Sequence, residues 1–348
     1  MLSNMRLVLV AALAVSAATT AAAAPYWSTS GPPLPLVNSV AAAPDVDDVV
    51  YATGSQLEAK ESAIYESVDG GSTWTPLVQA PQGDYWSEVF VDPRETGRLF
   101  AGAQTSGQTT TIYRSTDRGQ VWNIILTIST VCGPSFAAGH GADSLLIACG
   151  TRFFHTPDAG LTWDERPTPF TETTKLTPGP ASALYAYGAS RIFRSADEGM
   201  SWLDAGNAPA ACPGILSLRV DPGNALHYVA GVGALGTSGF RCGGVFTSVN
   251  AGVSWTASDL SGVYVTDVRL DPSDPHGMFA CASYIAGILP KGGVWRSSDD
   301  GQTWQTLHLP VNGALRLSVS AEGSAVHAAT PTGAYDLALR KTRVVPPR

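Results

Sequence analysis

Long helical periodicity is missing from this 348-residue chain, which removes helical bundles and helical repeats from consideration. Metal-ligand spacing is missing too. None of the five cysteines forms a Cys-x-x-Cys pair, and the six histidines (His140, His155, His227, His276, His308, His327) are scattered, so neither a metal site nor a cofactor is expected. Positive charge is scarce: 21 Lys and Arg stand against 29 Asp and Glu, a net of −8. Nucleic acid and anionic lipid, which need concentrated positive charge, are therefore not expected partners. What the chain has in quantity is turn-forming residues, 36 Gly and 24 Pro, and this composition favours an all-β protein.

The first 24 residues read as a cleavable export signal. Residues 1–6 carry the positive charge of Arg6, residues 7–18 are apolar, and residues 19–24 are small. Twelve apolar residues are too few to span a bilayer, so no membrane span is expected in the mature chain. Cleavage after Ala22 or Ala23 suits the small-x-small rule; loss of Arg6 then leaves 20 basic and 29 acidic side chains, a net of −9. The expectation is a secreted or periplasmic monomer: a signal over 1–24, one domain over 25–340, and a frayed basic tail over 341–348.

One pattern organises the rest. The sequence Ser/Thr-x-Asp-x-Gly-x-Ser/Thr-Trp occurs six times, opening at Ser67, Ser115, Thr156, Ser195, Ser248 and Ser297. The copies close on Trp74, Trp122, Trp163, Trp202, Trp255 and Trp304, 39 to 53 residues apart, and only Val121 and Asn250 depart from the pattern. The residue types suit a tight hairpin. A short Asp side chain accepts hydrogen bonds from the turn it opens, Gly supplies a positive φ, and Trp covers the return strand. Apolar-aromatic pairs such as Ile64-Tyr65 and Ile112-Tyr113 precede each copy, as strand residues do.

A second signal lies upstream. Val91-Asp92-Pro93, Val220-Asp221-Pro222 and Leu270-Asp271-Pro272 each end an apolar strand, and another strand follows about seven residues on. Each unit therefore reads strand, Asp-Pro turn, strand, loop, strand, Asp turn, strand, which is a four-stranded propeller blade. Residues 315–337 add three strands without a closing Trp, and Trp27 near the mature N-terminus looks like the missing fourth. The expected fold is a seven-bladed β-propeller whose ring is closed by its two ends.

These repeats resemble the BNR or Asp-box superfamily over nearly the whole mature chain. That superfamily includes sialidases, xyloglucan-cleaving glucanases, sortilin-type receptors and photosystem assembly factors. The resemblance implies the fold and is nearly silent on activity. It implies that Asp69, Asp117, Asp158, Asp197, Asn250 and Asp299 are structural, on the face opposite the binding face; Asn250 fits, because turn bonding survives loss of charge. Sialidases carry an arginine triad, a tyrosine nucleophile with a glutamate partner, and an Arg-Ile-Pro motif. No Arg-Ile-Pro is present, Arg94 and Arg98 fall on the Asp-Pro side, and Arg114, Arg194 and Arg296 are repeat-periodic and spread round the ring. The xyloglucan-cleaving enzymes place opposed carboxylates in a cleft between two propellers, which one propeller does not make. The photosystem factors present a basic patch for which this acidic sequence shows no counterpart.

Candidate site residues sit on interblade loops. Residues 83–88 combine Tyr85 and Trp86 with Asp84 and Glu88, and Tyr264 and Asp267 hold the corresponding stretch before blade six. Tyr85, Trp86 and Tyr264 are candidates for stacking on a sugar, or for packing between blades; Asp84, Glu88 and Asp267 are candidate catalytic carboxylates. The long loops 232–243 and 285–293 would shape a rim. Cys132 and Cys149 flank a hairpin centred on residues 140–141 and are expected to form a disulfide. A Cys212–Cys242 bridge would staple the long loop, and Cys281 is left over as a buried thiol. The leading expectation is a non-catalytic propeller presenting loops to a glycan, cell-wall component or protein. The alternative is a glycoside hydrolase using loop-face carboxylates, for which carboxylates converging with a Tyr or several arginines in a deep central pocket would speak, whereas a shallow aromatic face would speak for binding.

Overall fold

A computed structural model of the chain describes residues 27–28, 31–95, 97–289 and 291–339. The export signal and the basic tail lie outside the described residues. Six four-stranded antiparallel sheets and one of three strands follow one another in sequence, each running in order from first strand to last. These are the seven blades of a β-propeller. The first strands are Leu36–Ala42, Tyr85–Val91, Ser135–Ala138, Lys175–Pro178, Ile215–Asp221, Tyr264–Leu270 and Arg316–Val319. They pack beside one another in ring order, the last returning to the first, so they form the inner wall.

Blade seven has the strands Arg316–Val319, Ala325–Thr330 and Gly333–Ala338, and the N-terminus supplies its outer edge. Ser28 pairs antiparallel with Asp336, the Ser28 N–H donating to the Asp336 carbonyl (2.9 Å) and the Asp336 N–H to the Ser28 carbonyl (3.1 Å). Trp27 is buried against Leu317, Tyr335 and Leu337, and its Nε1 donates to the Leu307 carbonyl at 2.7 Å.

The six Asp turns share one hydrogen-bond pattern. In the first, Ser67 Oγ donates to Asp69 Oδ1 (2.8 Å) and accepts the Gly71 N–H (2.8 Å), while Thr73 donates through N–H and hydroxyl to the two Asp69 oxygens. Hydrogen bonds from Thr73 hold the Asp69 carboxyl below the usual range, and those from Thr162 hold Asp158 at about 2. Asn250 accepts from Ser248 and Ser254 in the same way. The sequence motif points to positive φ at its glycine alone, and the preceding residue proves left-handed as well: Arg118, Ala159, Glu198, Ala251 and Asp300 take φ of 54–58°. The N–H of that residue in turn donates to the turn between strands one and two, as Gly70 does to Asp48 and Ala159 to Asp143. Both turns therefore lie at one end of the propeller, and strand alternation puts the interblade and second-to-third-strand loops at the other.

Side chains on each blade's two faces fill separate interblade cores, and the middle of each first strand supplies one to each. Val40, Val89, Phe136, Leu176, Leu218, Val268 and Leu317 are all buried, each in a different cluster. Trp86 packs between blades one and two, 4.8 Å from Tyr113 and 6.0 Å from Trp122 by ring centroids.

Two disulfides are present, Cys132–Cys149 and Cys212–Cys242, with Cα separations of 5.5 and 5.7 Å, and Cys281 is a buried free thiol. Cys132 precedes the strand that pairs with the one ending in Cys149; the ladder sets Ala148 opposite Ser135, so the bridge reaches past the end of the pairing. Residues 232–243 differ from the expected loop. Strands Asn224–Gly236 and Gly239–Ser248 stay paired to the tip, forming a long hairpin to which Cys242 ties the preceding interblade segment. Replacing both Cys212 and Cys242 with Ser is expected to cost about 2–4 kcal/mol, read as a lower denaturation midpoint.

Candidate functional site

The residue just before each central apolar residue of the inner strands is Ser39, Glu88, Ser135, Lys175, Ser217, Asp267 or Arg316. A β-bulge precedes this position in blades one, two, five and six, between Val37 and Ser39, Trp86 and Glu88, Ile215 and Ser217, and Val265 and Asp267. The extra residue re-aims the side chains that follow it. From these positions, side chains reach round the ring to the next blade. Ser135 Oγ accepts the Leu176 N–H (3.0 Å), Ser217 Oγ the Val268 N–H (3.1 Å) and Asp267 Oδ2 the Leu317 N–H (3.1 Å). Lys175 Nζ donates to the Leu216 carbonyl at 2.8 Å.

Two further cations, Arg219 and Arg269, stand two residues on from Ser217 and Asp267. Both bind Asp267, at 3.2 and 2.9 Å, and Ser217 Oγ donates to its Oδ1 at 2.9 Å. Burial works to raise the Asp267 carboxyl, but Arg269, Arg219 and Arg316 outweigh it and hold it at about 2. Both Asp267 oxygens are engaged. Glu88 behaves differently: burial raises its carboxyl, and Arg316, Arg269 and Lys175 offset this only in part. Burial also lowers Lys175 to about 8, with Arg316 adding to the effect. Tyr187 is hydrogen-bonded to Arg219.

Groups from blades four, six and seven act together on Glu88 of blade two, so these side chains gather near the axis. Glu88, Lys175, Arg219, Arg269 and Arg316 are all half-buried, so each keeps part of its surface accessible to solvent.

The structure thus brings together two of the sequence candidates, Glu88 and Asp267. Asp84 stands apart: nearly buried, it accepts the Ser106 N–H at 2.9 Å and pins a loop of its own blade. Trp86 is 1% exposed, inside the interblade core, and offers no stacking face. Tyr85 is half-buried at its strand's start, and Tyr264 is half-buried with its ring over Gly233. Arg114 and Arg296 lie on third strands, bonded to the Ala159 carbonyl and to Asp271. The sequence reading missed Lys175, Arg219, Arg269, Arg316 and Tyr187. It also missed a concentration of positive charge, because the acidic total hides four cations gathered on one axis. Their signal was present: charged residues interrupt short apolar runs at Leu218-Arg219-Val220 and Val268-Arg269-Leu270. Among the described residues no cluster of His, Cys, Asp and Glu could hold a metal ion, and no helix is long and apolar enough to cross a membrane.

No protein-family model matches the chain. It is similar to the xyloglucanase Xgh74A of Acetivibrio thermocellus, 24% identical over 72% of this chain and 37% of that enzyme. It is also similar to a xyloglucanase of Hypocrea jecorina, 25% identical over 78% of this chain and 32% of that enzyme. The chain spans about a third of the length of the xyloglucanases it matches. Among solved structures, the GH74 xyloglucanase of Xanthomonas campestris superposes with a TM-score of 0.68 at 16% identity, covering 90% of this chain and 53% of that one. YCF48 bound to D1 peptide superposes with a TM-score of 0.65 at 16% identity, covering 92% and 97%. Identities this low establish a shared fold.

Proposed function

We propose that the protein is an exported glycoside hydrolase, or one propeller of such an enzyme, that receives a glycan at the loop end of its axis. The observation that carries this reading is the convergence of Glu88 and Asp267 with Arg219, Arg269 and Arg316 on the inner strands. The sequence similarity to xyloglucanases supports it, and two disulfides suit an oxidising compartment.

Glycoside hydrolysis uses one carboxyl that gives a proton and a second, ionised, about 5–10 Å away. A carboxyl held toward its protonated form is fitted to the first task, and Glu88 is such a group. Asp267 stays ionised but spends its oxygens on Arg219, Arg269, Ser217 and two backbone N–H groups, so it fixes the arginines in place. The second carboxylate would then come from a surface facing this one.

Glu88→Gln is expected to lower turnover of xyloglucan oligosaccharides or aryl glycosides by about a hundredfold or more. The melting temperature should change little. Wild-type activity should fall as pH rises through the elevated Glu88 value, since the proton donor is lost there. The occupied oxygens of Asp267 favour a second reading, a propeller that binds glycan without cleaving it. Saturable binding with no turnover of any glycoside would select that reading.

A further inference from the structure

We infer that the axis cluster recognises a carboxylate-bearing sugar, with Arg316 and Lys175 as the groups that hold the acid. The inference rests on the reading that sugar reaches the axis, and it adds the class of sugar. Its ground is the unequal pairing of charge on the inner strands. Asp267 is shared by Arg219 and Arg269, at 3.2 and 2.9 Å. Lys175 and Arg316 have no carboxylate within ion-pair distance among the described residues. Their hydrogen bonds go to backbone carbonyls, Lys175 Nζ to Leu216 (2.8 Å) and Arg316 Nη1 to Leu315 (3.3 Å). Glu88 and Asp267 are the carboxylates that face them, and Asp267 is already bound by Arg219 and Arg269.

Four cations therefore meet two carboxylates, in a chain whose net charge is −8. Surplus charge crowded by protein is costly unless water or a counter-charge relieves it. The seven-fold wall makes the cluster a matter of position: the same register that carries Ser39 and Ser135 in two blades carries Lys175 and Arg316 in two others. Small polar residues suffice to bond the next blade there, as Ser135 does to Leu176 and Lys175 does to Leu216, so it is the charge of Lys175 and Arg316 that answers a different requirement. Arg316 keeps most of its planar fork for a partner, and a carboxylate matches that fork with two parallel hydrogen bonds. A neutral glucose unit offers no such partner. A uronic acid does, and Lys175 opposite supplies a second charge.

The test compares a matched pair, methyl glucuronide and methyl glucoside, which differ in one carboxylate. Binding to the full wild-type chain is measured by calorimetry at low ionic strength and neutral pH. The glucuronide is expected to bind at least about tenfold more tightly, a difference of about 1.4 kcal/mol. Arg316→Gln and Lys175→Gln, each checked by its melting curve, are expected to remove most of that preference. Equal affinity for the two sugars in the wild-type protein overturns the inference, as does a preference that survives in a folded Arg316→Gln or Lys175→Gln protein. Turnover of neutral glucans without glucuronide preference would sink this inference and leave the hydrolase reading standing. Glucuronide preference without turnover of any glycoside would do the reverse.

Discussion

Asp267→Ala is expected to lower stability by about 3–5 kcal/mol, read as a fall in denaturation midpoint, far more than loss of one acid usually costs. Its side chain is only 4% exposed and joins three blades: Ser217 and Arg219 of blade five, Arg269 of its own, and the Leu317 N–H of blade seven. Removing it leaves two half-buried arginines without their carboxylate and one buried N–H without an acceptor. The wild-type protein carries the same dependence in its response to acid. The folded carboxyl sits at about 2, below the ordinary value of 3.8. Its contribution is therefore complete above pH 4 and disappears as pH falls toward 2, because the unfolded chain then binds the proton more readily. In Asp267→Asn that part of the acid sensitivity should vanish. Equal acid profiles for the two proteins would show that the carboxylate does not anchor the axis.

Trp27→Ala should be of similar size, about 3–5 kcal/mol, since a buried indole leaves a large cavity. Trp27 is 6% exposed, fills the last blade against Leu317, Tyr335 and Leu337, and gives its N–H to the Leu307 carbonyl. Trp27→Phe keeps most of the volume and loses the hydrogen bond, so it should cost roughly a third as much. A Trp27→Ala protein as stable as wild type, measured by chemical denaturation, would mean that the N-terminal segment contributes nothing to blade seven.

The fold was legible because its signals are local. A motif of eight residues holds all the groups that bond the Asp turn, from Ser67 to Trp74, and Asp-Pro pairs mark the other turns at the same end. The disulfides were legible for the same reason. The axis was less so, because it is assembled from residues some 50 apart in sequence whose aim depends on bulges. Asn38, Ser87, Leu216 and Thr266 are the unpaired residues of those bulges, and nothing in their side chains announces it. Periodicity also means different things at different radii. Repeated arginines on third strands, such as Arg114 and Arg296, are carried apart by the ring, whereas repeated arginines on first strands, such as Arg219 and Arg269, are carried together. Trp86 shows the reverse: an aromatic beside carboxylates in sequence is, in space, an interior residue.

Blades one to six are each stitched by ladders of neighbouring strands, whereas among the described residues the belt is buckled by two backbone hydrogen bonds, the Ser28 hydroxyl on the Asp336 carbonyl and one indole. The partners, Trp27 and Leu307, are 280 residues apart. Since the entropy of closing a loop grows only with the logarithm of its length, fastening that buckle is little harder than pairing strands much nearer in sequence. An opening of the native ring at this seam would leave the ladders of the other blades standing.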